Sequence, residues 1–225
     1  MAIVYKNDYN EIITENQAIN LDRYRKEHYI NNVLKKIEKE SFYEGLLVTY
    51  YKESVENNVL GNLTLEYPNV KDFQIRTRLD IGNYYKEEEE YFEKGNLLYK
   101  TISIRDSLNR VIAENNLDIT TSLPRHQASS KAFYSEEIYN NWCVPNIELG
   151  TILDKDHMVF TTSYNLDGSL KEIKFNHMST YDIEYFFSNA VAPYDDIEVC
   201  REKCGLTVEQ INYFLNDNLL PIPNF

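Results

Sequence analysis

The chain is short of cysteine, of recognisable catalytic motifs, of long apolar runs and of positive charge. Each shortage removes a class of function. The three cysteines are Cys143, Cys200 and Cys204. They are odd in number and form no Cys-x-x-Cys, so neither a disulfide framework nor a zinc site of standard spacing is expected. Cys200 and Cys204 stand four apart on an expected helix and read as reduced packing residues. No Gly-x-Gly-x-x-Gly, Gly-x-x-x-x-Gly-Lys-Ser/Thr or Gly-x-Ser-x-Gly occurs, so no phosphate-cradling loop or nucleophile elbow is expected. His28, His126, His157 and His177 are scattered, with no His-x-His or His-Glu-x-x-His. Cys143 could pair with His126 or His157 as a thiol–imidazole couple, but each reads more simply as a structural residue. The expectation is therefore no catalytic residue, no metal and no cofactor.

No stretch approaches the roughly 20 apolar residues of a membrane span. The start, MAIVYKNDYNEII, has no apolar core behind a basic region, so no secretory leader is expected and the location reads as cytoplasmic. Lys and Arg number 23 against 36 Asp and Glu, for a formal charge of −13 over 225 residues. Such a chain avoids phosphate backbones, since nucleic-acid affinity comes from Lys and Arg. It steers basic partners toward itself. Acidity that serves only solubility is the simpler alternative.

What the chain does have is tyrosine, 19 in all, and a grammar of turns between alternating runs. The hub is Tyr84–Asn115. Glu93-Lys94-Gly95-Asn96 makes a tight turn in which Gly95 takes φ > 0 without steric cost. After it, Leu98, Lys100, Ile102 and Ile104 fall on one parity, as in a half-buried strand. Before it, Tyr84, Tyr85 and Tyr91 frame Glu87, Glu88, Glu89 and Glu90. A helix competes there, because Glu is a good helix former. The flanking aromatics and the immediate turn favour a strand.

Along the chain, residues 1–13 read as a strand or arm. Thr14–Gln17 reads as a capping box opening a short helix. Tyr24–Ile30 and Val33–Ser41 pair through an Asn31-Asn32 turn. Tyr43-Glu44-Gly45 turns the chain into Leu46–Tyr51, giving a three-stranded meander. Ser54 is expected to cap a helix through Leu63 that stops before Pro68. Phe73–Leu79 alternates as a strand, and Arg110–Glu114 as another. Residues 118–135 are polar and unpatterned, and read as a long surface loop and internal boundary. A short helix at Glu136–Trp142 and strands over Gly150–Phe160 follow. Ser163–Phe175 reads as a hairpin turning at Asp167-Gly168. The C-terminus reads as helical: one helix from Ser179 or Thr180 through Ile183 and Phe187, a second from Asp195 or Asp196 to Gly205, and a third opened by a Thr207–Gln210 capping box.

The helix–Gly205–helix unit has the outline of a helix-turn-helix. Its charge argues against DNA. From Tyr181 to Phe225, Asp182, Glu184, Asp195, Asp196, Glu198, Glu202, Glu209 and Asp217 oppose only Arg201 and Lys203. A helical hairpin packed on a sheet is the better reading.

One hairpin design recurs. Tyr91-Phe92-Glu93-Lys94-Gly95-Asn96-Leu97 and Tyr164-Asn165-Leu166-Asp167-Gly168-Ser169-Leu170 share the form Tyr-x-x-x-Gly-(Asn/Ser)-Leu, and Tyr29–Leu34 is a shortened version. The pattern resembles the degenerate hairpins of bacterial YD-repeat and MORN-variant proteins, among them small antitoxin or immunity-type proteins. It covers about a third of the chain, with no regular period. The resemblance implies an interaction role and supplies no functional residues.

These observations predict an α+β fold: antiparallel β-meander sheets, a few helices and a helical C-terminus. The chain reads as a single domain over 1–225, with 136–225 as a smaller hairpin-plus-helix part beyond the 118–135 boundary. The expected function is a binding protein of immunity type that occludes a basic partner, such as a toxin nuclease domain, and touches neither nucleic acid nor membrane. Tyr84, Tyr85, Glu87, Glu88, Glu89, Glu90 and Tyr91 are the expected contact residues. As a strand, Glu87 and Glu89 would share one face and Glu88 and Glu90 the other, which places the segment at a sheet edge. A solvated edge strand whose charges deter aggregation is the plainer reading of the same residues. An enzyme with an unrecognised site and an acidic nucleic-acid mimic are the alternative functions.

Overall fold

The computed structural model describes residues 1–138, 158–175, 201 and 204–225. The described residues are rich in strands, mostly antiparallel, with few helices. They fall into two compact units. The first comprises Met1–Ile102 with Leu117–Ser122, the second Ser103–Asn116 with Leu123–Phe225.

The first unit is a ladder of strands in the order β2-β1-β3-β4-β5-β6-β7-β8. These are β1 (Ala2–Lys6), β2 (Ile12–Ile13), β3 (Arg23–Ile30), β4 (Val33–Ser41), β5 (Gly45–Lys52), β6 (Asp72–Ile81), β7 (Tyr84–Glu93) and β8 (Asn96–Asp106). Turn chemistry sets the hairpins. Asn31 and Asn32 both sit at positive φ (51° and 63°) between β3 and β4. Both central residues of such a turn need that conformation, and Asn tolerates it. Between β1 and β3, α1 (Glu15–Ala18) starts at the expected box: Thr14 accepts from the Gln17 amide while the Gln17 side chain accepts from the Thr14 amide.

Three expectations change in this unit. β5 and β6 pair in parallel, with Leu47 opposite Asp72 and Lys52 opposite Thr77, so the ladder is not a pure meander. A parallel pair needs a crossover, and the chain supplies it through α2 (Val59–Glu66). That helix starts at Asn58 rather than Ser54. The Glu56 carboxylate accepts from the Glu53 amide and from Tyr50 Oη, which holds 53–56 in a turn. Gly61 has a packing reason: a Cβ there would lie 2.5 Å from the Asn58 side chain. Finally, β7 is not an edge strand, since it lies between β6 and β8.

Alternation along β5 and β6 sends Val48, Phe73 and Ile75 to the side that α2 covers with Val59 and Leu63. Leu46, Tyr50, Tyr67 and Phe92 pack round them. Each fully buried aliphatic or aromatic side chain contributes about 1.5–3 kcal/mol. This small core holds the parallel crossover in place.

The second unit continues from the end of β8 with the order β8-β9-β10-β11-β12. Its strands are β9 (Val111–Leu117), β10 (Pro124–Tyr134), β11 (Met158–Tyr164) and β12 (Leu170–Phe175). β10 occupies what reads in the sequence as a loop over 118–135. Ser129, Lys131 and Phe133 point inward. Two of those three are polar, which hides the alternation. Pro124 is the first strand residue, a position where a missing N–H is tolerated. The true turn is only 118–123, where Asp118 accepts from the amides of Thr120 and Thr121. The β11–β12 hairpin turns at Gly168 (φ 80°), as its Asp-Gly signature implies.

Two further helices are described, α3 (Glu136–Ile138) and α4 (Val208–Phe214). α4 opens on the expected capping box of Thr207 and Gln210. It drives Ile211, Tyr213 and Phe214 into a core with Phe133, Phe160 and Tyr164. The Phe160 and Phe214 rings meet edge-on at 5.0 Å, and Phe225 closes against Phe214 at 5.7 Å. The helices expected at 179–187 and 195–200, most of the strand expected over 150–160, and Cys143, Cys200, His157 and His177 lie outside the described residues.

Candidate functional site

The segment Tyr84–Tyr91 builds β7, and its surroundings follow from one turn. Gly82 (φ 77°) and Asn83 join β6 to β7 in two residues, with Ile81 opposite Tyr84. Counting back pair by pair places Asp80 opposite Tyr85, Arg78 opposite Glu87, Arg76 opposite Glu89 and Gln74 opposite Tyr91. Directly opposed residues project on the same side of a sheet. One side of the hairpin is therefore a ladder of arginines facing glutamates. On the other, Leu79 faces Lys86, Thr77 faces Glu88 and Ile75 faces Glu90.

Glu87 is the centre of the ladder and is 1% exposed. Its Oε2 accepts from Arg78 Nε at 2.6 Å, and Arg76 Nη1 stands 3.4 Å from Oε1. A buried carboxylate is costly unless paired and hydrogen-bonded, and here two guanidinium groups bracket it. Arg78 in turn lies between two rings, 4.8 Å from the Tyr51 centroid and 4.9 Å from that of Tyr85. Burial works against its charge, but the hydrogen bond and charge of Glu87 outweigh that and raise the guanidinium above its ordinary pKa.

Glu89 accepts from Arg76 Nη2 at 2.7 Å, from Gln74 Nε2 at 2.9 Å and from Tyr99 Oη at 2.9 Å. Tyr91 stacks on Tyr99 with centroids 4.9 Å apart and planes 3° from parallel. Tyr91 Oη donates to Asp72 at 3.0 Å. Burial, then that hydrogen bond, pushes its pKa up to about 12. The phenol is a fixed donor at neutral pH. On the opposite side, Glu88 takes Lys86 at 2.7 Å and Glu90 takes Lys100 at 3.1 Å.

The expected contact residues therefore do come together, but the four glutamates are not a bare negative patch. Each carboxylate has a cationic partner in its own unit. Glu87 is sealed, Glu89 is mostly covered, and Glu88 and Glu90 are the more open pair, with side chains 41% and 35% exposed. Tyr84 and Tyr85 are half-buried. Arg76, Arg78, Gln74, Tyr51 and Tyr99 belong to the same site and went unassigned at sequence level. A signal for two of them existed. A two-residue turn at Gly82-Asn83 pairs Arg78 with Glu87 and Arg76 with Glu89 by counting alone.

The same device recurs on β3 and β4. Glu27, 3% exposed, is held by Lys6 at 2.9 Å, Arg25 at 2.8 Å and the Tyr29 hydroxyl at 2.7 Å. Glu38 accepts from Tyr67 Oη at 2.6 Å and lies 2.7 Å from His28 Nε2. Burial raises the Glu38 pKa, but the Tyr67 hydrogen bond and the nearby His28, Lys26 and Lys36 more than reverse that, leaving it below the ordinary carboxylate range. Burial depresses His28.

What this arrangement offers chemically is rigid recognition. The tyrosines and carboxylates are held in fixed rotamers by one another, so little ordering entropy is left for a partner to remove. Among the described residues no three His, Cys, Asp or Glu side chains are grouped to hold a metal ion. No described helix is long and apolar enough to cross a membrane. Comparison of the chain with known protein families, curated proteins and solved structures finds no match.

Proposed function

We propose that the protein is a cytoplasmic binding protein of immunity (antitoxin) type, which neutralises a basic partner, such as a toxin nuclease domain, by occluding its surface. The supporting observation is the preorganised side of β6, β7 and β8 that carries Glu89, Tyr91 and Tyr99. Its tyrosine rings are stacked, and its carboxylate is fixed by three donors. Tyrosine supplies large contact area at low entropic cost with a polar tip. The formal charge of −13 supplies steering toward a basic partner. In this reading the sealed Glu87 positions Arg76 and Arg78, and the partner meets the rims of Tyr85, Glu89, Tyr91 and Tyr99. The α+β class with a helical C-terminus belongs to the same proposal, with the acidic stretch Tyr181–Phe225 adding to the field.

The test is retention of a basic protein from a native lysate on the immobilised chain at about 50 mM salt, its release at about 500 mM, and loss of retention for a Tyr91→Ala/Tyr99→Ala variant. Co-expression should then rescue cells from the identified partner. If the tyrosine variant retains as much as the parent chain, or no basic protein is held at low salt, the reading fails.

A further inference from the structure

At its far end the β6–β7 ladder sets two like charges face to face. Asp72 stands directly opposite Glu93, the next pair beyond Gln74 and Tyr91 on the same side of the sheet. Like charges directly opposed on neighbouring strands destabilise the pairing. The rest of β7 avoids this: Glu87, Glu88, Glu89 and Glu90 each hold a lysine or arginine, at 2.6, 2.7, 2.7 and 3.1 Å. Glu93 has Lys94 Nζ at 3.7 Å, on a side chain 64% exposed. Asp72 accepts from the Tyr91 hydroxyl. Among the described residues no lysine or arginine, Lys71 included, comes within ion-pair reach of Asp72. Lys39 projects on the same side but lies opposite Leu47, two strands from Asp72, roughly 10 Å away.

Beside these carboxylates stands an aromatic plate. Tyr99 covers one face of the Tyr91 ring, in the parallel stack described above. The Tyr99 hydroxyl reaches Glu89, which puts Tyr99 on the Glu89 side of Tyr91 and leaves the other face of the Tyr91 ring turned toward Glu93. Both carboxylates act on that ring. After burial and the Asp72 hydrogen bond, the charges of Asp72 and Glu93 are what raise the Tyr91 phenol to about 12.

An aromatic face next to two carboxylates short of cations selects its occupant by charge and by shape. A guanidinium group is a flat cation that stacks on an aromatic ring, and its five donors fork toward carboxylates in its own plane. A lysine ammonium has neither the plane nor the fork. Leu47, half-buried and directly opposite Asp72, offers apolar surface to the methylene stem of an arginine.

We infer that this sheet face takes an arginine side chain of the basic partner, its guanidinium laid on the open face of Tyr91 and hydrogen-bonded to Asp72 and Glu93. This anchor rests on the binding function proposed above and names its chemistry: the partner is held through arginine, and net positive charge alone does not suffice. Glu89 keeps its three donors and holds Tyr99 in the stack.

The probe is N-acetyl-arginine amide, titrated into the full chain by NMR at constant ionic strength, with N-acetyl-lysine amide as the control. The arginine probe should shift the ring signals of Tyr91 and Tyr99 saturably and bind about threefold tighter than the lysine probe, or better. Asp72→Asn and Glu93→Gln should each weaken it about threefold, and the double variant should lose the preference for arginine. Asn at 72 still accepts from the Tyr91 hydroxyl, and both changes relieve the like-charge pair. The variants should therefore fold with a urea midpoint no lower than that of the parent chain. Equal binding of the two probes, or arginine binding unchanged in the double variant, would overturn the anchor. A double variant that loses the probe yet retains a basic protein as the parent chain does also overturns it, and leaves the wider binding function standing. A parent chain that prefers arginine in this way but retains no basic protein sustains the arginine site and overturns the wider function.

Discussion

The two units bury charge by opposite means. In the first, Glu27, Glu38 and Glu87 are carboxylates enclosed by side-chain donors from their own strand, from neighbouring strands and, for Glu38, from Tyr67 at the end of α2. In the second, Lys131 is a buried ammonium, 1% exposed, enclosed mainly by backbone. Its Nζ donates to the carbonyls of Tyr213 and Asn216 and sits 3.6 Å from the Tyr213 ring centroid. Those carbonyls are at and just beyond the C-terminal end of α4, where the helix macrodipole favours positive charge. Asp217, next in sequence, accepts from His126 at 2.6 Å if that ring nitrogen is protonated. Ladders of opposed strands give every side chain a partner at fixed spacing, so ion pairs can be written pairwise into the sequence. A helix end offers carbonyls without counter-charge, so a single lysine must reach them. The first solution relies on Coulomb attraction between full charges, the second on hydrogen bonds that only partly repay desolvation.

The largest break in this comparison comes from Glu87→Ala. It leaves Arg76 and Arg78 side by side on β6 with no carboxylate between them, and breaking one partner of a buried pair costs several kcal/mol. Because both arginines are partly exposed, the expected loss is about 2–4 kcal/mol, read as a lowered urea midpoint. A change below about 0.5 kcal/mol would mean that Glu87 is wet.

Lys131→Met tests the other solution through pH. Burial depresses the Lys131 pKa to about 7, with the Asp217 charge pulling it back upward. In the unfolded chain the lysine keeps its ordinary value near 10.5. Between about pH 7 and 10 the unfolded state therefore binds more protons, and stability rises with pH, by up to about 1 kcal/mol per pH unit. The protection of the α4 amides, corrected for intrinsic exchange, should grow from pH 7 to 9 in the parent chain and stay level in Lys131→Met. A slope that survives the substitution assigns it to another group. The raised tyrosines do not interfere, since Tyr5, Tyr24, Tyr50 and Tyr91 titrate near 12 and cost stability only above their unfolded value of about 10.

The smallest effect sharpens the contrast inside the glutamate run itself. Glu88→Ala and Glu90→Ala remove partly exposed pairs with Lys86 and Lys100. Each should change stability by about 0.5 kcal/mol or less, against the much larger loss at Glu87 one residue away. The same denaturation series measures all three. Equal losses along the run would show that the pleat does not divide it into sealed and open sides.

The amino-acid sequence by itself determined the local grammar. Asn31-Asn32, Gly82-Asn83, Lys94-Gly95 and Asp167-Gly168 each require φ > 0 where few other residues allow it, so the hairpins are legible from single positions. Thr14–Gln17 and Thr207–Gln210 mark helix starts for the same reason: the capping groups lie three residues apart in the chain. Tertiary structure decided what depends on a distant partner. The parallel pairing of β5 with β6 rests on α2 covering Val48, Phe73 and Ile75, and no local residue announces it. β10 is a strand because Lys131 and Ser129 find acceptors and cover inside the second unit, so its polar composition misleads. Glu87–Glu90 read as a solvated edge because four like charges in a row have no local remedy. Their remedy lies on β6 and β8, in Arg76, Arg78 and Lys100. Charge is a property of the residue, but whether it is exposed, neutralised or buried is a property of its neighbours, and strand pairing brings those neighbours to between 2.6 and 3.1 Å.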